Sequence, residues 1–230
     1  MRMMTQIRTD ISFQIKHGFY LAYLVVSVFY ITFLAFIPPS WKETAAVLLI
    51  FSDCSFLGSF FVGGIILLER DQGMIQQLLI SPLRISEYIL GKALSLSCLA
   101  TVASSVILLA SFGLSLHYTP ILVAVFICSL FATFLGMMVA IRVKSLNQYL
   151  LVTPLFVPIF FLPMANYFSL PAPTLLKWTP GYNTLQMITD GFHPIPHLSL
   201  PIFILISWVI LFFFITKRQY ERIFFKNGGE

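Results

Sequence analysis

Long apolar runs alternate with short polar connections along the chain, and this pattern predicts an all-α membrane protein. Six runs are long enough to cross the roughly 30 Å hydrocarbon layer of a membrane, which takes about 20 residues at about 1.5 Å each. We place these spans at residues 17–37, 44–68, 88–113, 119–141, 149–168 and 199–216. Almost every connection is short, so we expect residues 1–230 to form one transmembrane domain without a second soluble domain.

The segment before the first span, residues 1–16, has the periodicity of a helix but not the length to cross. Its apolar residues recur every three or four positions: Met4, Ile7, Ile11 and Ile15. Polar residues occupy the other faces: Arg2, Gln6, Arg8, Asp10 and Gln14. This pattern predicts an amphipathic helix lying along the headgroups. An ordinary leader into the first span is the alternative.

The fifth predicted span carries three prolines, at positions 154, 158 and 163. Each proline removes a backbone donor, so the span is expected to be kinked or broken and to face other helices rather than lipid. The connection that follows, residues 169–198, is the longest on its side of the membrane. Its apolar stretches are too short to cross, which predicts short re-entrant helices dipping into the outer leaflet.

The distribution of charge gives the orientation. Of the 14 Lys and Arg residues, all except Lys42 and Lys177 fall on the side that holds both termini. Positive residues stay on the cytoplasmic side, so both termini are predicted to be cytoplasmic. The chain is 58% hydrophobic and only 10% charged, against about 25% charged for a soluble domain. The net charge of +5 follows from the topology, so nucleic acid is not an expected partner.

Small residues recur at four-residue spacing inside two spans. They are Ser55, Ser59 and Gly63 in the second span and Ser97, Thr101 and Ser105 in the third. Such seams let helices approach closely, and packing is the first expectation. Lining a substrate path is the alternative.

Asp53 is the one acidic residue well inside a predicted span. A carboxylate at that depth is costly and faces protein or water, so it is a functional candidate. The alternative is a satisfied polar contact, through a Ser or Thr of a neighbouring helix or an outer vestibule. The candidate residues for a substrate path or gate are Asp53, Ser55, Ser59, Ser97, Thr101 and Pro158.

Other candidate chemistry is sparse. The three cysteines, at positions 54, 98 and 128, lie inside predicted spans without CxxC spacing, which argues against a disulfide framework and against a metal site. The sequence has no HExxH motif and no GxxxxGK[ST] phosphate loop. We therefore expect no cofactor in this chain and no ATPase activity of its own.

The connection between the second and third spans, residues 69–84, predicts a short cytoplasmic amphipathic helix. Met74, Ile75, Leu78 and Leu79 share one face. Asp71 is expected in its first turn, where the helix dipole favours a negative charge, and Pro82 ends it. Such a helix, held between two spans, could act as a rigid lever; a plain interfacial helix is the alternative.

The same connection resembles a known family. An acidic–x–acidic–x–Gly–x–x–x–x–Leu pattern runs from Glu69 to Leu78, followed by Ser81-Pro82 and then Gly91-Lys92. This order is similar to the membrane subunit of type-2 ABC exporters, and closest to permeases of drug export, including fluoroquinolones. The stretch 178–183 (Trp-Thr-Pro-Gly-Tyr-Asn) resembles the Pro-x-Tyr region of that family, although an Asn-Pro is more usual there.

The resemblance implies that residues 69–84 are a coupling helix that docks on a separate ATPase subunit. The residues carried over to that role are Glu69, Arg70, Asp71, Gly73, Met74, Ile75, Gln77, Leu78, Leu79, Pro82 and Leu83. It also implies a second, identical permease, two copies of the ATPase, and ATP and magnesium bound on the ATPase. The expected function is alternating-access export of a hydrophobic or amphipathic small molecule across a bacterial plasma membrane.

Rival functions of two kinds stay open: another exporter permease, and a protein of a different class. A haem-exporter permease has a similar size and the same family architecture, but no haem-handling residues are identifiable here. An ion-coupled carrier would need several ionisable residues at mid-membrane depth, and only Asp53 is visible. An intramembrane enzyme would need a Ser/Lys, HExxH or paired-Asp arrangement, and none occurs within the spans.

Overall fold

The computed structural model describes residues 2–74, 84–155, 162–164, 174–193 and 199–227, and every regular element among them is helical. The α-helices are α1 (Arg2–Lys16), α2 (Phe19–Phe36), α3 (Pro39–Ser52), α4 (Gly58–Asp71), α5 (Ile85–Phe112), α6 (Tyr118–Ala140), α7 (Leu146–Val152), α8 (Pro180–Asp190) and α9 (Ser199–Asn227). A π-helical turn, Asp53–Leu57, joins α3 to α4, and 3-10 turns cover Thr153–Leu155 and Thr174–Trp178. The predicted all-α class is confirmed.

Five helices in the described part of the chain are long and apolar enough to cross a membrane: α2, the continuous α3–α4, α5, α6 and α9. They correspond to the first four predicted spans and the last one. The fifth predicted span, 149–168, starts within α7, which ends at Val152 and passes into a 3-10 turn around Pro154. The proline cannot donate its backbone N–H, and the α-helix gives way to the 3-10 turn there, although Thr153 keeps helical angles (φ −57°, ψ −43°). A kink or break beyond this turn stays a prediction.

The remainder of that run, residues 156–161 and 165–168, lies outside the described residues. A sixth crossing therefore stays a prediction.

Helix α6 is the centre of the bundle. It packs against α4, α5, α8 and α9, and it is the most buried of the five spanning helices. Two apolar clusters flank it: one near the α3 and α8 ends, around Phe51 and Ile188, and one near the α4 and α7 ends, around Ile66 and Tyr149. The π-helical turn lies between these two clusters. By contrast few side chains of α2 and α9 are buried, and several large apolar ones are exposed, as expected for helices that face lipid or another subunit.

The stretch 178–183 covers the end of the 3-10 turn and the start of α8. Whether these short helices dip into the outer leaflet stays a prediction. The Thr179 hydroxyl accepts a hydrogen bond from the Tyr182 N–H at 3.4 Å and so caps the helix. Asn183 Nδ2 donates to the Thr179 carbonyl at 2.8 Å. The Trp208 indole N–H donates to the Trp178 carbonyl at 2.8 Å, which ties this corner to α9.

Candidate functional site

A buried ion cluster, formed by Asp10, Glu69 and Lys92, joins α1, α4 and α5. Lys92 Nζ lies 3.1 Å from Asp10 Oδ1 and also donates to Glu69 Oε1. The three residues are only 3%, 5% and 1% exposed, in that order. The Tyr88 hydroxyl donates to Glu69 Oε2 at 2.8 Å, and Lys92 Nζ sits 4.9 Å from the centre of the Tyr88 ring. One cation thus holds two carboxylates from separate helices.

The polar face of α1 makes this cluster possible. Gln14 Nε2 donates to Ser95 Oγ at 2.9 Å, one turn beyond Asp10 on the same face. Gly91 lets α1 and α5 come close, because a Cβ atom there would lie 2.8 Å from Gln6 Cγ and 3.3 Å from Asp10 Oδ2. The two helices are therefore joined by polar contacts rather than by apolar side chains.

The amphipathic helix predicted over residues 1–16 is confirmed as α1. The two ends of its apolar stripe are exposed, with Met4 74% and Ile15 58% exposed, and Ile7 and Ile11 between them are half-buried. The sequence pattern did not identify the opposite, polar face as the packed one. Burial raises the pKa of the Asp10 carboxyl above its usual value, although the positive charge of Lys92 acts in the other direction.

The sequence did contain one signal for the cluster. Lys92 lies inside an apolar run, where an unpaired charge is costly, so it required an acidic partner from elsewhere in the chain. By sequence alone, Lys92 counts only as one of the positive residues on the side that holds both termini.

Arg70, the residue after Glu69, is anchored in a different direction. Its guanidinium donates to the carbonyls of Ala140, Ile141 and Val143 at the end of α6, with Nη2 3.3 Å and 3.4 Å from the first two oxygens. These carbonyls have no partner within their own helix, and a cation at a helix C-terminus is favourable. Glu69 and Arg70 therefore both turn into the helix bundle.

The predicted position of Asp71 is wrong. It was expected in the first turn of a helix spanning 69–84, but it is the last residue of α4 and is exposed. The inward anchors of Glu69 and Arg70 extend α4 beyond the apolar run. After α4 ends at Asp71, the chain turns at Gly73, which has φ +70° and whose N–H donates to the Arg70 carbonyl at 3.0 Å. A left-handed residue at this position favours glycine.

The structure holds both ends of the connection between α4 and α5. At one end Gln72 Nε2 lies 3.2 Å from His17 Nε2, just after α1, and Met74 is half-buried. At the other end the Arg84 N–H donates to Glu87 Oε2 at 2.9 Å at the start of α5. The remaining coupling candidates lie outside the described residues: Ile75, Gln77, Leu78, Leu79, Pro82 and Leu83. The same is true of Pro158 in the fifth run.

Asp53 opens the π-helical turn and is 1% exposed. With the 14-residue α3 before it, it stands about 21 Å along the helix from Pro39, at about 1.5 Å per residue. Within the described part of the chain neither carboxylate oxygen has a hydrogen-bond partner, so the predicted Ser or Thr contact is not found there. The hydroxyl of Tyr23 on α2 is likewise buried without a partner. A π-helical turn is itself common at functional sites.

The small-residue seam of the second span packs against α6, as predicted. Ser55 Oγ lies 3.4 Å from Cys128 Sγ, and Ser59 Oγ donates to the Ser55 carbonyl at 3.1 Å. A Cβ atom at Gly136 would lie 2.6 Å from the Ser59 carbonyl oxygen, so the two backbones are in contact. The ring of Tyr149 covers Gly63, which has no side chain to displace it.

The seam of the third span is less uniform. Ser97 is fully buried, whereas Thr101 and Ser105 are half-buried and donate to the carbonyls of Ser97 and Thr101 at 2.7 Å each. Their hydroxyls are thus occupied by their own helix.

One family model and two curated relatives match this chain. The model of the fluoroquinolones export permease protein family matches residues 1–226. Two curated relatives, the fluoroquinolones export permease proteins of two strains of Mycobacterium tuberculosis, are each 23% identical over 192 residues. The matched region covers 83% of this chain and 81% of each relative.

Proposed function

We propose, from the premise that the chain belongs to the fluoroquinolones export permease protein family, that it is the permease subunit of an ATP-driven ABC exporter. The observation that carries the proposal is the family match over 1–226, nearly the whole chain. Two permeases and two ATPase subunits would form the transporter. ATP and magnesium would bind on the ATPase, since the sequence has no phosphate loop.

The proposed substrate is a hydrophobic or amphipathic drug-like molecule, in keeping with the fluoroquinolones in the names of the relatives. Its path would lie between the two permeases, where an apolar and aromatic lining suits such a molecule. Exposed aromatic side chains on α2 support this placement: Phe29, Phe33 and Phe36 are 63%, 46% and 85% exposed. Lipid contact would use the same faces, so the path needs a direct test.

Energy would enter through the coupling segment, residues 69–84. Its α4 end is anchored by Glu69 to α1 and α5 and by Arg70 to the end of α6. A displacement of the segment by the ATPase would therefore move α4, α5 and α6 together rather than one helix alone. In this proposal Glu69 and Arg70 are positioning residues, and the contact with the ATPase is left to the segment beyond Gly73.

The test is transport by the purified complex. The permease is co-expressed with a candidate ABC ATPase, reconstituted in liposomes and assayed for fluoroquinolone movement. We expect movement to require ATP and to stop when the phosphate-loop lysine of the ATPase is replaced, although the complex still assembles. Movement driven by an ion gradient without the ATPase would refute the proposal and favour the ion-coupled carrier.

A further inference from the structure

A cavity of about 450 Å³ lies between the end of α6 and the second half of α9. Its lining residues are Arg142, Ile215, Arg218, Gln219, Arg222 and Ile223. The three arginines are exposed. Among the described residues the ion pairs are made by Lys92, His193 and Lys217, so none of these arginines has an acidic partner there. We call this feature the arginine cavity.

One face of α9 runs through the arginine cavity. Leu211, Ile215, Arg218 and Arg222 follow one another at spacings of four, three and four residues, which aligns them along one side of a helix. Leu211 and Ile215 are 49% and 39% exposed. The face therefore changes from exposed apolar to exposed basic within one turn, as a surface at the boundary between hydrocarbon and headgroups would.

The walls of the arginine cavity are held together. Gln219 Nε2 on α9 donates to the carbonyl of Met138 on α6 at 2.8 Å. Arg142 follows the end of α6 directly, and its neighbour Ile141 is bonded back into that helix, with its N–H 3.1 Å from the Met137 carbonyl. The three guanidinium groups are therefore carried by two helices in fixed contact.

We propose that the arginine cavity binds the phosphate of an anionic phospholipid whose acyl chains lie along Leu211, Phe214 and Ile215. A guanidinium group presents two parallel N–H donors to phosphate oxygens, and basic pockets between membrane helices suit lipid headgroups of the cytoplasmic leaflet. Three cations without an acidic partner favour a headgroup with net negative charge over a zwitterionic one. The choice of leaflet rests on the orientation in the proposed function.

The test uses the full-length permease in mild detergent, with phosphatidylglycerol and phosphatidylcholine as probes. Native mass spectrometry counts the phospholipid that each variant retains. We expect wild-type protein to retain phosphatidylglycerol in preference to phosphatidylcholine. The triple variant Arg142→Gln, Arg218→Gln, Arg222→Gln should retain at least tenfold less phosphatidylglycerol. The matched control, Lys217→Gln, removes a charge that is 3.7 Å from Glu221 on the same helix and should behave as wild type.

A competition with inorganic phosphate and a single variant complete the test. Inorganic phosphate added in millimolar excess should not displace the lipid, because it lacks the acyl chains. If the triple variant does not fold, Arg218→Gln alone should lower retention severalfold, with folding checked by size-exclusion chromatography. Equal retention of both lipids, displacement by inorganic phosphate, or wild-type retention of phosphatidylglycerol by the folded triple variant would overturn the proposal. Lipid retention is measured on the permease alone, so failure of ATP-driven export would leave this result unaffected.

Discussion

At the scale of single residues, Lys92 is a buried cation whose charge depends on two acidic partners. It is 1% exposed and is held between Asp10 and Glu69. Removing one member of a buried ion pair leaves uncompensated charge in a medium that solvates it poorly, which costs about 3–5 kcal/mol. Here the loss of one lysine would leave two carboxylates facing each other.

We therefore predict that Lys92→Met lowers the thermal unfolding temperature of the purified permease and uncouples ATP hydrolysis from transport. The triple variant Asp10→Asn, Glu69→Gln, Lys92→Met should recover much of the lost stability, because it leaves no buried charge unpaired. Thermal unfolding in detergent and ATPase assays of the complex give both readouts. Wild-type stability of Lys92→Met would show that the ion cluster contributes little.

Asp53 is a second buried charged side chain, and both its carboxylate oxygens lack a hydrogen-bond partner within the described part of the chain. If it contacts the substrate or a gating partner, Asp53→Asn should reduce export while assembly with the ATPase stays intact. Ser55→Ala, in the same π-helical turn, is the control for local packing. Export at the wild-type level by Asp53→Asn would remove Asp53 from the functional residues.

At the scale of helices, α4 and α6 meet through backbone. A Cβ atom at Gly136 would lie 2.6 Å from the Ser59 carbonyl oxygen, which no side-chain rotation can relieve. Gly136→Ala should therefore destabilise the bundle by about 1–3 kcal/mol, the usual cost of overpacking. Gly64→Ala is a matched control, because its Cβ would have only the Phe19 ring nearby, at 3.8 Å. Chemical unfolding should separate the two variants; equal stability would show that α6 can shift.

The coupling segment gives a prediction from sequence alone, since Leu79 lies outside the described residues. If Leu78 and Leu79 enter a groove on the ATPase, Leu79→Glu should abolish co-purification of the ATPase while the permease still inserts normally. Burial of one leucine is worth about 1.5–3 kcal/mol, so docking should weaken at least tenfold. Gln72→Glu, at an exposed position just before Gly73, should weaken co-purification of the ATPase much less. If Leu79→Glu still assembles fully with the ATPase, the coupling segment is only an interfacial helix and does not dock through this face.

At the scale of the whole molecule, the helix ends separate the basic residues on which the predicted orientation depends, and the orientation itself stays a prediction. Lys42 Nζ donates to the Ser111 carbonyl at 2.8 Å, which places the start of α3 beside the end of α5. Arg84 and Arg142 lie at the opposite ends of α5 and α6, near the start of α5 and the end of α6. The excess of Lys and Arg at the latter ends is the basis for calling that side cytoplasmic.

Cysteine labelling in intact cells tests this orientation. In a background with Cys98→Ser, because Cys98 is exposed, Lys42→Cys and Lys177→Cys should react with an impermeant reagent from outside. Arg84→Cys and Arg142→Cys should react only after the cells are opened. External labelling at Arg84→Cys would reverse the orientation, and with it the leaflet assigned to the arginine cavity.

The sequence by itself determined five spanning helices and α1, and it predicts a kink or break near Pro154. Each depends on local properties: the length of an apolar run, a helical period, and a residue that cannot donate its backbone N–H. Family resemblance added the coupling segment, through a pattern contained in a short stretch. These features could be predicted because neighbouring residues carry all the information.

Only the tertiary structure decided which face of α1 is packed, where Lys92 finds its acids and where α4 ends. The bond from Lys92 to Asp10 joins residues 82 apart in sequence, and the arginine cavity combines the end of α6 with α9. No local pattern specifies such pairs, since a charge inside an apolar run requires a partner without saying which helix supplies it. The packing of α1 against α5 determines the partner of Lys92, because Gly91 allows the polar face of α1, with Asp10, to approach α5.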